Sequence, residues 1–174
     1  TNPSLSSEWQ LGRFSPPELR TWLERQKSFD AAGGYSVWRA RVRRGTGSER
    51  IQVGQATSGF WRALRVRPTL GRLPLASEAA EPVAVLTHDF WVSHFGSEAA
   101  IVGKTFRLND SPVRVIGVLP SNFALLDASA DLWQPYEPPP NDKELNNHML
   151  LAVGRLRDGV SLARAEQELA PILR

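Results

Sequence analysis

The chain has 174 residues, a length suited to one domain or two small ones. Apolar residues make up 41% and charged residues 22%, which excludes wholesale disorder, and the absence of cysteine excludes disulfides, thiolate nucleophiles and cysteine-ligated zinc. A net charge of +3 conceals an uneven spread: +8 over residues 1–75, −6 over 76–144 and +1 over 145–174.

Such asymmetry marks either a binding face or two subdomains with different surfaces. No stretch approaches the roughly 20 apolar residues of a spanning helix, and the start does not read as a signal peptide. The chain is expected not to cross a membrane, although a longer parent protein could.

Residues 1–13 read as a lead-in segment. Ser15-Pro16-Pro17-Glu18 is a helix start of the capping-box kind, followed by apolar Leu19, Trp22, Leu23 and Phe29 at helical spacing. Asp30 to Gly34 is expected to end that helix. A hairpin follows: Trp38, Ala40 and Val42 alternate with Arg39, Arg41 and Arg43, and the turn at Arg44-Gly45 leads to a return strand with Ile51 and Val53 inward. Trp38 is therefore assigned to the core. Thr57 or Ser58 caps a short helix with Phe60, Trp61 and Leu64, and residues 69–81 read as a boundary.

A second unit begins with the buried-strand pattern Val83-Ala84-Val85-Leu86. A helix capped by Thr87 follows, carrying Phe90, Trp91 and Phe95 and closing at Gly96. Two strands flank Asn109-Asp110. The strand at 131–136 is placed at a sheet edge because of Pro135. Residues 137–147, with Pro138, Pro139 and Pro140, form a stiff linker. A last strand, a turn at Arg157-Asp158-Gly159, and a helix capped by Ser161 complete the chain.

Neither end of the chain builds a sufficient core by itself. The expected fold class is α+β with two lobes. Residues 14–75 plus 145–174 form a discontinuous α/β lobe from both chain ends, and residues 80–140 form an inserted β-rich lobe.

The chemistry-bearing residues are sparse. His88 and His94 are six apart on one helix and so point in different directions, which is poor spacing for a metal, and His148 is remote from both. Ser15, Ser58 and Ser161 have capping tasks, and no nucleophile elbow or phosphate loop is present. Asp127 and Asp131 read as loop residues before a strand rather than paired carboxylates. No catalytic, cofactor or metal site is expected. The binding signal is the arginine stripe Arg39, Arg41, Arg43 and Arg44, joined by Arg62, Arg65 and Arg67. Trp9 and Phe14, ahead of the first cap, add two aromatics suited to touching a neighbour. A nucleic-acid or anion-binding module using that stripe is the alternative reading, with steep loss of binding in salt as its mark.

The order of segments carries a resemblance. Phe60-Trp61-x-x-Leu-x-Val-x-Pro-x-x-Gly-Arg, Val83-Ala-Val-Leu with Phe90-Trp91, Val102-Gly-Lys and Val115-Ile-Gly-Val-Leu-Pro stand in the sequence order of MacB-like ABC transporter permeases. Over residues 14–174 the chain resembles the periplasmic core domain of that MacB/FtsX-type family. The resemblance implies a two-lobed, non-enzymatic domain between two membrane helices, on the periplasmic or extracytoplasmic face of the bacterial inner membrane. It further implies a permease homodimer, ATP hydrolysis on a separate cytoplasmic domain or subunit, relay of conformational change, contact with substrate or a periplasmic adaptor, and no nucleic-acid partner. Gly71, Gly103, Gly117, Phe60, Trp61 and Trp91 match motif positions and read as fold determinants.

Overall fold

The computed structural model describes residues 13–125 and 129–172. Strand β1 (Phe29–Arg44) is the long central piece. Helix α1 (Pro16–Arg25) precedes it, and the backbone N–H of Ser15 donates to the Glu18 carboxylate as the capping pattern anticipates, with the Ser15 hydroxyl donating to the same oxygen.

The helix expected to run on to residue 29 stops at Arg25, and residues 29–34 are strand. The reason is pairing and packing. Residues 29–35 pair antiparallel with β8 (Leu151–Leu156), and small side chains there admit helices on both faces. A Cβ on Gly33 would stand 2.1 Å from the Phe60 backbone nitrogen of α2 (Ser58–Leu64), and one on Gly34 would stand 2.4 Å from Leu19 of α1. A strand buried on both faces shows no alternation, so the Ala-Ala-Gly-Gly run imitates a helix stop.

Beyond Tyr35, β1 pairs in full with β2 (Gly47–Ala56). The remaining strands are β3 (Leu70–Gly71), β4 (Val83–Leu86), β5 (Thr105–Leu108), β6 (Ser111–Val118) and β7 (Leu132–Pro135). Among the described residues eight strands form one sheet. It runs β2-β7-β4-β6-β5-β1, and the β1–β2 pairing closes that run into a ring, with β8 and β3 attached outside. Helix α3 (His88–Phe95), capped by Thr87 and ended by Gly96 in the left-handed region, contributes Phe90 to the ring interior. There it joins Ala40, Val42, Ile51, Val53, Leu86, Val115 and Leu132.

The outer face of the same strands is also covered. Val83, Val85 and Trp133 pack under Phe60 and Trp61 of α2. Gly54 leaves room for Trp133, whose ring would lie 2.3 Å from an added Cβ. β7 is thus a central strand, paired parallel to β2 and antiparallel to β4, and not the edge expected from Pro135. Pro135 is tolerated because it is the last residue of β7, past the end of the β4 pairing.

A third cluster joins the two chain ends: Phe14, Leu19, Trp22 and Phe29 pack with Leu150 and with Ala165 and Leu169 of α4 (Leu162–Leu169). Phe14 and Leu150 exchange backbone hydrogen bonds, and the Glu168 carboxylate of α4 accepts from the N–H groups of Lys27 and Ser28. The expected union of the ends is present. Mixed helix and strand content is likewise as expected, but strands from both expected lobes share one closed sheet, and the two-lobe description finds no confirmation in it.

Replacing Gly33 by Ala should destabilise the domain by about 2–3 kcal/mol or more, because the obstructing atoms are backbone. Gly47→Ala, whose nearest neighbour would be 3.8 Å away, should stay within about 0.5 kcal/mol. Urea denaturation of the two variants compares them directly.

Candidate functional site

The ladder between β1 and β2 sets Arg39 opposite Gln52, Arg41 opposite Arg50 and Arg43 opposite Ser48. These side chains lie on the face that α2 covers as far as Tyr35, and past the end of α2 they are exposed. On the other side of β1, Val42 pairs with Leu108, a register that brings Arg107 across from Arg43. Five guanidinium groups therefore share one outer face.

Two of the five have a polar partner on Asp110. Arg43 lies 3.6 Å from the Asp110 carboxylate, and Arg107 donates to the Asp110 carbonyl. Among the described residues no carboxylate stands within ion-pair reach of Arg39, Arg41 or Arg50. Arg41, Arg43 and Arg107 line an open groove of about 550 Å³ between the turns at 44–47 and 109–110. Arg44 departs from the expected stripe. It falls on the opposite strand face and pairs with Glu49 at 3.2 Å.

Glu49 in turn holds His94 of α3, whose Nε2 is 2.9 Å away and whose ring stacks on Phe90. Hydrogen bonds from His94 and Arg44 keep the Glu49 carboxyl below its ordinary range. His148 faces Glu18 at 3.3 Å, and His88 lies 3.9 Å from its neighbour Asp89. Each histidine thus meets one carboxylate, and among the described residues no group of three or more metal-ligating side chains gathers. Asp131 braces the ring. Its carboxylate accepts the Gln52 N–H at 2.8 Å, and its carbonyl accepts the Thr87 hydroxyl. Asp127 lies outside the described residues.

Of the two aromatics expected at a partner surface, Trp9 lies outside the described residues. Phe14 is a core residue instead: it is fully buried, stacks on Trp22 with centroids 5.5 Å apart, and is bridged to Leu150. Trp38 corrects the sequence reading in the opposite sense. It is 36% exposed although Val53, its partner across the ladder, is fully buried. Among the described residues, β8 has left β1 before this point and β5 has not yet joined it, which leaves the indole partly open.

A second groove escaped the sequence reading. It lies along α2, with Trp61, Val66 and Leu73 in its lining and Arg62, Arg65 and Arg67 beside them. Leu75 projects there 57% exposed. The following turn is held by Glu78, which accepts from the Leu75 N–H and pairs with Arg72 at 2.6 Å. The Arg72 hydrogen bonds pull the Glu78 carboxyl down to about 2.

The fold built on this ring and its joined chain ends matches that of solved extracytoplasmic domains of ABC transporter permeases. The family model of the MacB-like periplasmic core domain matches residues 2–172, and the chain belongs to that family. Three solved structures share its fold. The periplasmic region of MacB from Actinobacillus actinomycetemcomitans is 20% identical with a TM-score of 0.71, over 94% of this chain and 74% of that one. The extracellular domain of the noncanonic ABC-type transporter YknZ from Gram-positive bacteria is 15% identical with a TM-score of 0.70, over 92% and 82%. A domain of a permease protein from Porphyromonas gingivalis is 16% identical with a TM-score of 0.69, over 92% and 76%. No curated protein matches the sequence. Among the described residues no helix is long and apolar enough to cross a membrane.

Two charge variants probe this surface. Arg50→Glu turns a like-charged cross-strand pair with Arg41 into an attractive one and should stabilise the domain by about 0.2–1 kcal/mol in low salt. Glu78→Gln should cost about 1 kcal/mol at most at neutral pH, since Arg72 is half exposed. Because the folded Glu78 titrates below its ordinary value, that difference should be complete above pH 4.5 and vanish as pH falls toward 2. Denaturant midpoints at several pH values measure both.

Proposed function

We propose that this domain is a non-enzymatic lever of an ABC transporter permease, standing on the extracytoplasmic face of a bacterial inner membrane and passing conformational change to what its tip contacts. The observation that carries the reading is the union of the two ends. Phe14 at one and Ile172 at the other pack into the same cluster. From that base the unbroken β1 runs 16 residues, about 50 Å at strand rise, to the hairpin tip. A body fixed at one end by two chain crossings and stiffened by a continuous strand transmits motion rather than absorbing it.

In this reading ATP is hydrolysed on a separate cytoplasmic domain or subunit, and the permease works as a homodimer. Any hinge between the expected lobes lies at 72–82 or 137–147. The arginine face around Arg39, Arg41 and Arg43 meets a periplasmic adaptor or the substrate. The unbalanced charge of Arg39, Arg41 and Arg50 supports an anionic partner for that face. An oligonucleotide titration in rising salt separates such a partner from nucleic acid, which the extracytoplasmic placement disfavours.

The lever is tested in the full-length permease with Glu168→Ala, which removes the carboxylate that ties α4 to the start of β1. ATP hydrolysis should persist while transport per ATP falls several-fold. Transport per ATP equal to that of the unaltered protein would overturn the reading.

A further inference from the structure

Strand β1 has an opening in its pairing. On the side away from β2, its partner β8 ends at the Tyr35↔Leu151 pair, and β5 begins at Val42↔Leu108. Between them Arg41 is closed off by Asn109, whose side-chain oxygen accepts the Arg41 N–H and whose own N–H donates to the Arg41 carbonyl. That geometry fixes the phase of the ladder. Arg41 turns its backbone groups away from β2, so Arg39 and Val37, two and four residues earlier, do the same. The far partner agrees, because Gln52, opposite Arg39, turns its N–H and carbonyl to Asp131. The N–H and carbonyl groups of Val37 and Arg39 therefore face the opening, and among the described residues none of the four has a hydrogen-bond partner.

We propose that this opening is a docking site for an extended, acidic segment of a partner protein, added as a short strand against residues 37–39. The inference rests on the reading of the arginine face as a contact surface and specifies how it is used. Two donors and two acceptors alternate there at the roughly 7 Å spacing of a strand, which matches a polypeptide backbone. A lipid headgroup or a polyphosphate offers acceptors but no matching row of donors. The two faces of the site dictate the alternation of the guest. One side carries Arg39, Arg41 and Arg50 without acidic partners, and the other carries the exposed Trp38. A guest strand thus places carboxylates on the arginine side and apolar side chains against the indole. Open sheet edges ordinarily invite indiscriminate pairing, and the arginines restrict this one to acidic partners.

The test uses a blocked peptide of alternating Glu and Val, with polyglutamate and an alternating Lys–Val peptide as comparisons, added to the 174-residue chain. In the free protein the Val37 and Arg39 amides should exchange rapidly with solvent. The Glu–Val peptide should slow both at least about tenfold, as new strand hydrogen bonds do. Arg41→Glu should weaken its binding at least about tenfold. Arg39→Pro, which removes one N–H from the opening and none from the β2 ladder, should weaken it more than Arg39→Ala. Val37 and Arg39 amides that are already protected in the free protein would overturn the proposal. So would equal binding of polyglutamate and the Glu–Val peptide without protection, an outcome that leaves the arginine face standing as an electrostatic surface. Failure of every acidic probe to bind at low salt would remove both.

Discussion

The close approach of two helices to one strand governs this fold. α1 and α2 sit on opposite faces of β1 where its side chains shrink to alanine and glycine, and both approaches fail if a Cβ is added. The same residues pair laterally with β8, so three elements converge on a seven-residue stretch of β1. Everything distal depends on this clamp. It sets the direction in which β1 leaves the base, and that direction decides where the hairpin with β2 closes the ring. The hydrophobic layers then follow, one inside the ring and one beneath α2.

Much of this was legible in the sequence, for local reasons. Caps act over three or four residues, and Ser15, Thr57, Thr87 and Ser161 all stand where their chemistry places them. The hairpin turn at Asn109-Asp110 has both residues in the left-handed region, as its dipeptide suggests. The misreadings came from contacts distant in sequence. Residues 29–34 look like a helix stop because nothing local reveals that β8 lies beside them. Pro135 suggested an edge, yet the edge role depends on where β4 ends. A second, outer hydrophobic layer cannot be distinguished from a ring interior by alternation alone, and the closed sheet stayed hidden for that reason.

The arginine face shows the same division. Strand alternation placed Arg39, Arg41 and Arg43 together, but Arg50 and Arg107 join them only through the ladder register, and Arg44 turns away to Glu49. Phe14 and Trp38 exchanged roles for one reason: exposure depends on which neighbours arrive, not on the side chain. Phe14 meets Trp22 and Leu150, while Trp38 falls where one partner strand has gone and the next has not come. Family membership accounts for the architecture, which three solved structures share at 15–20% identity.

The Phe14–Leu150 bridge has a mechanical corollary. Tension pulling the two termini apart is borne at the base, by that bridge, by the cluster α1 and α4 share and by the β1–β8 ladder acting side by side. The proximal half of β1 therefore takes the load ahead of the distal hairpin.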